Sequence, residues 1–257
     1  MTLKLDHLVI NNHFALDDCA LWFRALGFTL TPRGYHSLGS INHLIMFSDH
    51  YLELIGLPVG GEKLRRELLD NPPGIDGLVF ASTDAQATEH ALQRAGFDAH
   101  PVQHFSREVV SGDARGDARF STVRLVPGSF SAGRVYFCQH HTPEWVWREE
   151  WLQPGGISGL TVVAHDVPAT GKRYAQLGET DLLKIISYDD WQAQYGALLP
   201  LNAELDSQFA AIQLYGQPLP ALSAAATRLG LPQATHNGQL RVAIPTLNLL
   251  LEFDNVR

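Results

Sequence analysis

The sequence predicts an α+β chain of four modules of βαβββ type, the third degenerate. Three observations carry the prediction. An apolar strand that leads into an amphipathic helix ending on glycine occurs four times. The distance from strand to glycine is nearly constant: His7 to Gly27 covers 20 positions, and Gly77 to Gly96, Gly159 to Gly178 and Ala211 to Gly230 cover 19 each. Strand-like alternation then follows three of the four glycines. His7, Gly77, Gly159 and Ala211 are thus equivalent positions, and one module alone keeps a chemically capable side chain there.

In the first module a strand over 5–10 enters a helix whose Leu16, Ala20, Phe23 and Leu26 share one face, and Gly27 stops it. Strands are expected over 28–31, 42–47 and 51–55, punctuated by Gly34 and Gly39. The second module repeats the order: a strand over 75–80, a helix over 85–95 capped by Asp84, then strands over 98–102, 120–126 and 134–139. Between the first two of these, residues 106–119 carry a tandem Gly-Asp-Ala-Arg and read as an exposed loop or lid. In the third module no clear strands follow Gly178, and residues 179–206 read as partly helical. The fourth is regular again, with strands over 210–215, 239–244 and 247–253 and a helix from Pro220 to Leu229.

Two domains of two modules each are expected, residues 1–141 and 157–257, joined by a Trp-rich linker over 142–156. Trp145, Trp147 and Trp151 either pin the two halves together or wall a binding site. A net charge of −8 with no long basic run argues against nucleic acid and against anionic membrane surfaces. The expected partner is a small-molecule ligand, with a homodimer as the assembly open to the chain. No leader and no apolar span of about 20 residues is apparent, so a cytoplasmic protein is expected. Cys19 and Cys138 are expected to be free thiols.

Paired modules with His on a first strand and Glu on a last strand resemble the vicinal oxygen chelate superfamily. Leu5-Asp6-His7-Leu8-Val9, Leu26-Gly27-Phe28, Gly34-Tyr35-His36, Gly39, Asn42 and Tyr51-Leu52-Glu53-Leu54 are similar to glyoxalase-like domain proteins. So is the stretch from Gln139-His140-His141 through Trp147 and Trp151. The resemblance implies two curled mixed-sheet barrels, each built from two modules. It also implies that first and last strands line the concave face, where His and Glu from paired modules would share one divalent metal. Such donors suit Zn, Mn, Fe or Ni better than calcium.

His7 and Glu53 form half of that set, and strand alternation puts each on one face with Val9 and with Tyr51 and Ile55. Opposite them the pattern breaks. Aligning Tyr51-Leu52-Glu53 with Phe137-Cys138-Gln139 leaves Gly77 and Gln139 where His and Glu would stand, and neither is a strong ligand. His36, His43, His140 and His141 could substitute, and the resemblance favours His36. The expected metal ligands are therefore His7, Glu53 and His36, with Glu53 and His36 as catalytic groups and Asn42, Gln139 and His141 as substrate contacts. A structural His7–Glu53 pair without metal is the alternative at the same residues. Glu252 is the one other carboxylate at a ligand position, but Ala211 and Gly159 leave it without partners, so no second metal site is expected. The functional expectation is a glyoxalase-like small-molecule enzyme of lyase, isomerase or dioxygenase type. The alternative is a metal-free small-molecule binding or sequestering protein.

Overall fold

The computed structural model describes residues 2–61 and 63–254. Eight strands form the first sheet, in the order β2-β3-β4-β1-β5-β8-β7-β6. They are β1 (Leu5–Asn11), β2 (Gly34–Tyr35), β3 (Ile41–Met46), β4 (Tyr51–Gly56), β5 (Gly74–Ala81), β6 (Gln103–Ser111), β7 (Ala114–Arg124) and β8 (Arg134–His140). Helices α1 (Leu16–Ala25) and α3 (Ala85–Arg94) cover its convex face, and the short α2 (Arg66–Leu69) precedes β5. A bridge between His36 and Arg107, and Ser37 N–H donating to Ser106 O at 3.0 Å, bring the two edges together. The sheet thus comes close to a closed barrel.

Alternation sorts the side chains. Leu8, Ile10, Leu52, Leu54, Leu78, Phe80, Val135 and Phe137 face the helices. Val9, Tyr51, Ile55, Val79, Phe120 and Cys138 face the interior. The module centre is an antiparallel crossing, with His7 opposite Val79 and Val9 opposite Gly77. Gly77 is required there, because a Cβ would lie 2.7 Å from Val9 Cγ2.

The second sheet has six strands in the order β10-β9-β11-β14-β13-β12. These are β9 (Gly156–Ala164), β10 (Leu183–Ile186), β11 (Ser207–Tyr215), β12 (Gln233–His236), β13 (Gln239–Ile244) and β14 (Leu249–Asp254), with α4 (Val167–Ala175) and α6 (Leu219–Arg228) on its convex face. The third module keeps one strand after its glycine and then forms α5 (Tyr188–Tyr195). Trp191 and Tyr195 of α5 pack with Val163, Ala211, Ala243 and Leu250, filling the concavity that a ligand would need. One hydrophobic cluster joins the convex faces of both sheets, with Phe28 against Phe253 and Phe130 stacked on Tyr174 at 4.4 Å.

Three local expectations are corrected. Residues 28–31 form no strand; Thr31 makes one backbone bond to Leu44 O, and the strand is Gly34–Tyr35. Residues 98–102 contribute only an Ala99–Leu125 bridge, and the strand begins at Gln103. The expected 106–119 loop is a long hairpin whose Ser111 pairs with Ala114 across Gly112-Asp113. Gly112, at φ +56, supplies the positive dihedral that a two-residue hairpin turn demands. Its tandem polar repeat reflects a strand pair half in solvent. Cys19 and Cys138 are free and buried. No described helix is long and apolar enough to cross a membrane.

Candidate functional site

The interior of the first sheet opens into a cavity of about 330 Å³ that reaches His7, His36, Asn42, Glu53, Arg107 and Tyr136. A bulge between Leu5 and His7 in the β1–β5 ladder turns Asp6 toward the same side as its neighbour. His7 Nδ1–H donates to Asp6 Oδ1 at 2.5 Å, which leaves Nε2 as the free lone pair. That nitrogen lies 3.7 Å from Glu53 Oε2 and 3.4 Å from the Tyr136 hydroxyl. Tyr51 stacks on the His7 ring at 4.4 Å and fixes its plane. On the other side of Glu53, His36 Nε2 lies 3.9 Å from Oε1. Asn42 Nδ2 donates to Glu53 Oε1 at 2.7 Å, and His36 Nδ1–H donates to Ser40 Oγ at 2.8 Å.

Burial and neighbours set the protonation states. Burial opposes ionisation of Glu53, but the His36 and His7 imidazoles and the Asn42 amide outweigh it and hold the carboxyl below its ordinary range. Burial pushes His36 down to about 4 against the pull of Glu53, so its imidazole is neutral at pH 7 and is a lone-pair donor rather than an acid. Asp6 is buried too, yet hydrogen bonds from His140 and His7 keep it well below the usual carboxylate range. His7 Nε2, Glu53 and His36 Nε2 are therefore three donors in the right forms to hold a borderline divalent ion.

The structure brings His7, His36, Asn42 and Glu53 together and separates the other expected contacts. Gln139 faces away: its Oε1 accepts from Ala85 N–H and its Nε2 donates to Thr83 O, capping α3. Register explains the error. Val9 pairs with Glu53 and Val79 with Tyr136, so the residue equivalent to Glu53 is Tyr136, three positions earlier than the alignment assumed. His141 bonds Ser121 Oγ at 2.6 Å in a shallow surface pocket beside His104, outside the cavity. His43 points to Thr31 O on the convex side.

Sequence reasoning missed several residues. Asp6, Cys138 and His140 place ligand atoms within 4.8 Å of one another, a second grouping that could take a metal. Burial raises the Cys138 thiol well above its ordinary range, so it is protonated unless an ion displaces the proton. Arg107 was hidden in the presumed loop. Trp147 packs edge-on to Tyr51 and His140, and Trp151 joins the interior cluster, so the Trp-rich segment backs the site.

In the second sheet Gln213 pairs with Glu252 and Thr161 with Lys184, which completes the equivalent set Glu53, Tyr136, Lys184 and Glu252. Arg241 Nε binds Glu252 Oε1 at 3.1 Å and Lys184 Nζ reaches the Tyr195 hydroxyl at 3.3 Å. These groups are consumed by internal partners.

A family model described as glyoxalase-like domain matches residues 5–178. Among solved structures, a hypothetical protein from Staphylococcus aureus aligns over 99% of this chain and 100% of its own, with TM-score 0.70 and 13% identity. A 4-hydroxymandelate synthase variant from Streptomyces coelicolor aligns over 99% and 94%, with TM-score 0.58 and 10% identity. At these identities the likeness is one of fold. No curated protein matches in sequence.

Proposed function

Because the chain belongs to the glyoxalase-like domain family, within the vicinal oxygen chelate superfamily, we propose that it is a small-molecule enzyme holding one divalent ion (Zn, Mn, Fe or Ni) on His7, Glu53 and His36. The observation that carries this reading is an ionised, buried Glu53 set between two imidazole nitrogens at 3.7 and 3.9 Å, open to the cavity. A metal bound there would supply Lewis acidity toward a substrate oxygen. The chain's own groups do the rest. Asp6 fixes the His7 tautomer and ring orientation. Asn42 donates to Glu53 Oε1 and fixes the carboxylate, which would act as ligand or, displaced from the ion, as the general base. His36, neutral, accepts at Nε2 from the Asn42 amide at 3.3 Å, a bond that a bound ion would replace. Phe105 and Phe120 give the same cavity an apolar wall.

The second reading, a metal-free binding protein, is favoured by Gly77 and Tyr136 at the two remaining ligand positions. Metal analysis of protein purified without a histidine tag separates them. Stoichiometric metal should be found in the wild type, lost in His7→Ala and Glu53→Gln together with activity, and kept in Glu252→Gln. A wild type that stays metal-free after exposure to all four ions, yet binds small aromatic compounds, decides for the binder. Metal retained in His7→Ala would move the site to Asp6, Cys138 and His140.

A further inference from the structure

Arg107 is buried, 4% exposed, and lines the cavity beside His36 and Glu53. Its neighbours in the cavity wall all have carboxylates: Arg65 binds Glu67 at 2.8 Å, Arg134 binds Asp76 at 2.6 Å, and Arg124 lies 3.9 Å from Glu67. Among the described residues Arg107 has no ion pair, and its Nη2 is shielded from solvent with no hydrogen-bond acceptor. Glu53 is close enough for its charge to be felt, but its oxygens are engaged by Asn42 and face the two histidines. A buried cation without an anion is a cost that folding alone does not repay.

The surroundings are shaped around this group. Gly34 lies against it, and a Cβ there would stand 3.1 Å from Arg107 Cδ, 3.3 Å from Nη1 and 2.3 Å from Asn42 Oδ1. The glycine thus keeps open the corner in which the guanidinium lies. Phe105 and Phe120, stacked at 5.0 Å, supply the adjoining apolar wall.

We propose that Arg107 is the anion anchor of this cavity and that the substrate is a small monocarboxylic acid, its carboxylate paired with the guanidinium and its apolar remainder against Phe105 and Phe120. The proposal rests on the reading of this cavity as the active site and names what it takes. One free guanidinium matches one negative charge, and its planar fork matches a carboxylate. A phosphate dianion would bring a second charge toward ionised Glu53 with no further cation left to meet it.

The test is calorimetric binding to chelator-treated protein, so that it does not depend on metal. Probes are phenylacetate and benzoate, their neutral amides, and inorganic phosphate. The wild type should bind an acid at least about tenfold tighter than its amide, and Arg107→Met should lose that preference. Arg107→Lys should keep part of it as a point charge without the fork. Arg107→Met should also melt no lower than the wild type, since it removes a stranded charge. The proposal is overturned if acid and amide bind alike or neither binds, if the preference survives in Arg107→Met, or if phosphate binds more tightly than the acids. It also falls if Arg107→Met melts lower or does not fold, which would make the residue structural. Metal content in Arg107→Met should match the wild type, so failure of the ligand set and failure of the anchor are read separately.

Discussion

Two imidazoles converge on Asp6, and its carboxylate decides which nitrogen each presents. His7 Nδ1–H and His140 Nε2–H both donate to it, at 2.5 and about 3.0 Å. In Asp6→Asn the side-chain amide can accept from one of them at most, and its N–H₂ then faces a second donor. His7 would lose its fixed tautomer. Affinity of the proposed site for its ion should fall about 10- to 100-fold, measured by competition with a chromogenic chelator, while the fold persists. At this scale the sequence was legible wherever simple alternation held: His7, Asn42 and Glu53 face inward as their strands dictate, and His36 joins them from the loop before β3. It was illegible where alternation breaks or register is long-range. Asp6 reaches the site through a bulge, and Tyr136 replaces Gln139 through pairings between strands about 60 residues apart in the chain.

The elements differ most from expectation in the second and third modules. Polar composition and glycines in 106–119 signal a loop, yet a single two-residue turn suffices to convert them into the hairpin that carries Arg107. In the third module the helical signal over 179–206 was real, and α5 takes the place that strands hold elsewhere. Trp191 is its anchor: 1% exposed, it packs on the small residues Ala211 and Ala243, and its indole N–H donates to Leu199 O at 2.9 Å. Trp191→Ala should lower unfolding free energy by about 3–5 kcal/mol in urea titration, because the side chain is fully buried and its removal leaves a cavity against Ala211 and Ala243.

For the whole molecule, acid is the condition to which the site makes it sensitive. The unfolded chain takes up the His36 proton near its ordinary 6.5, whereas the folded chain takes it up only at about 4. Between these values the unfolded state binds more protons, so stability falls as pH falls. The metal-free protein should therefore lose up to about 3 kcal/mol from this residue across that window. His43 and His50, also shifted down mainly by burial, act in the same direction. Denaturant titrations at stepped pH should show the slope, and His36→Gln should flatten it. The four-module plan itself was legible because the strand-to-glycine spacing is a local property. The filling of the second concavity was not, because it depends on which side of a sheet a helix lands.

The far wall of the cavity is formed by residues 127–131 together with Gly133, and the second half of the chain stands directly behind it. Tyr174 stacks on Phe130, and Phe209 presses so closely on Gly133 that a Cβ there would come within 2.6 Å. The half whose own concavity is filled thereby serves as the buttress of the half whose concavity is open. A substitution at Phe209 or Tyr174 would therefore be felt in the wall of a cavity that neither residue lines.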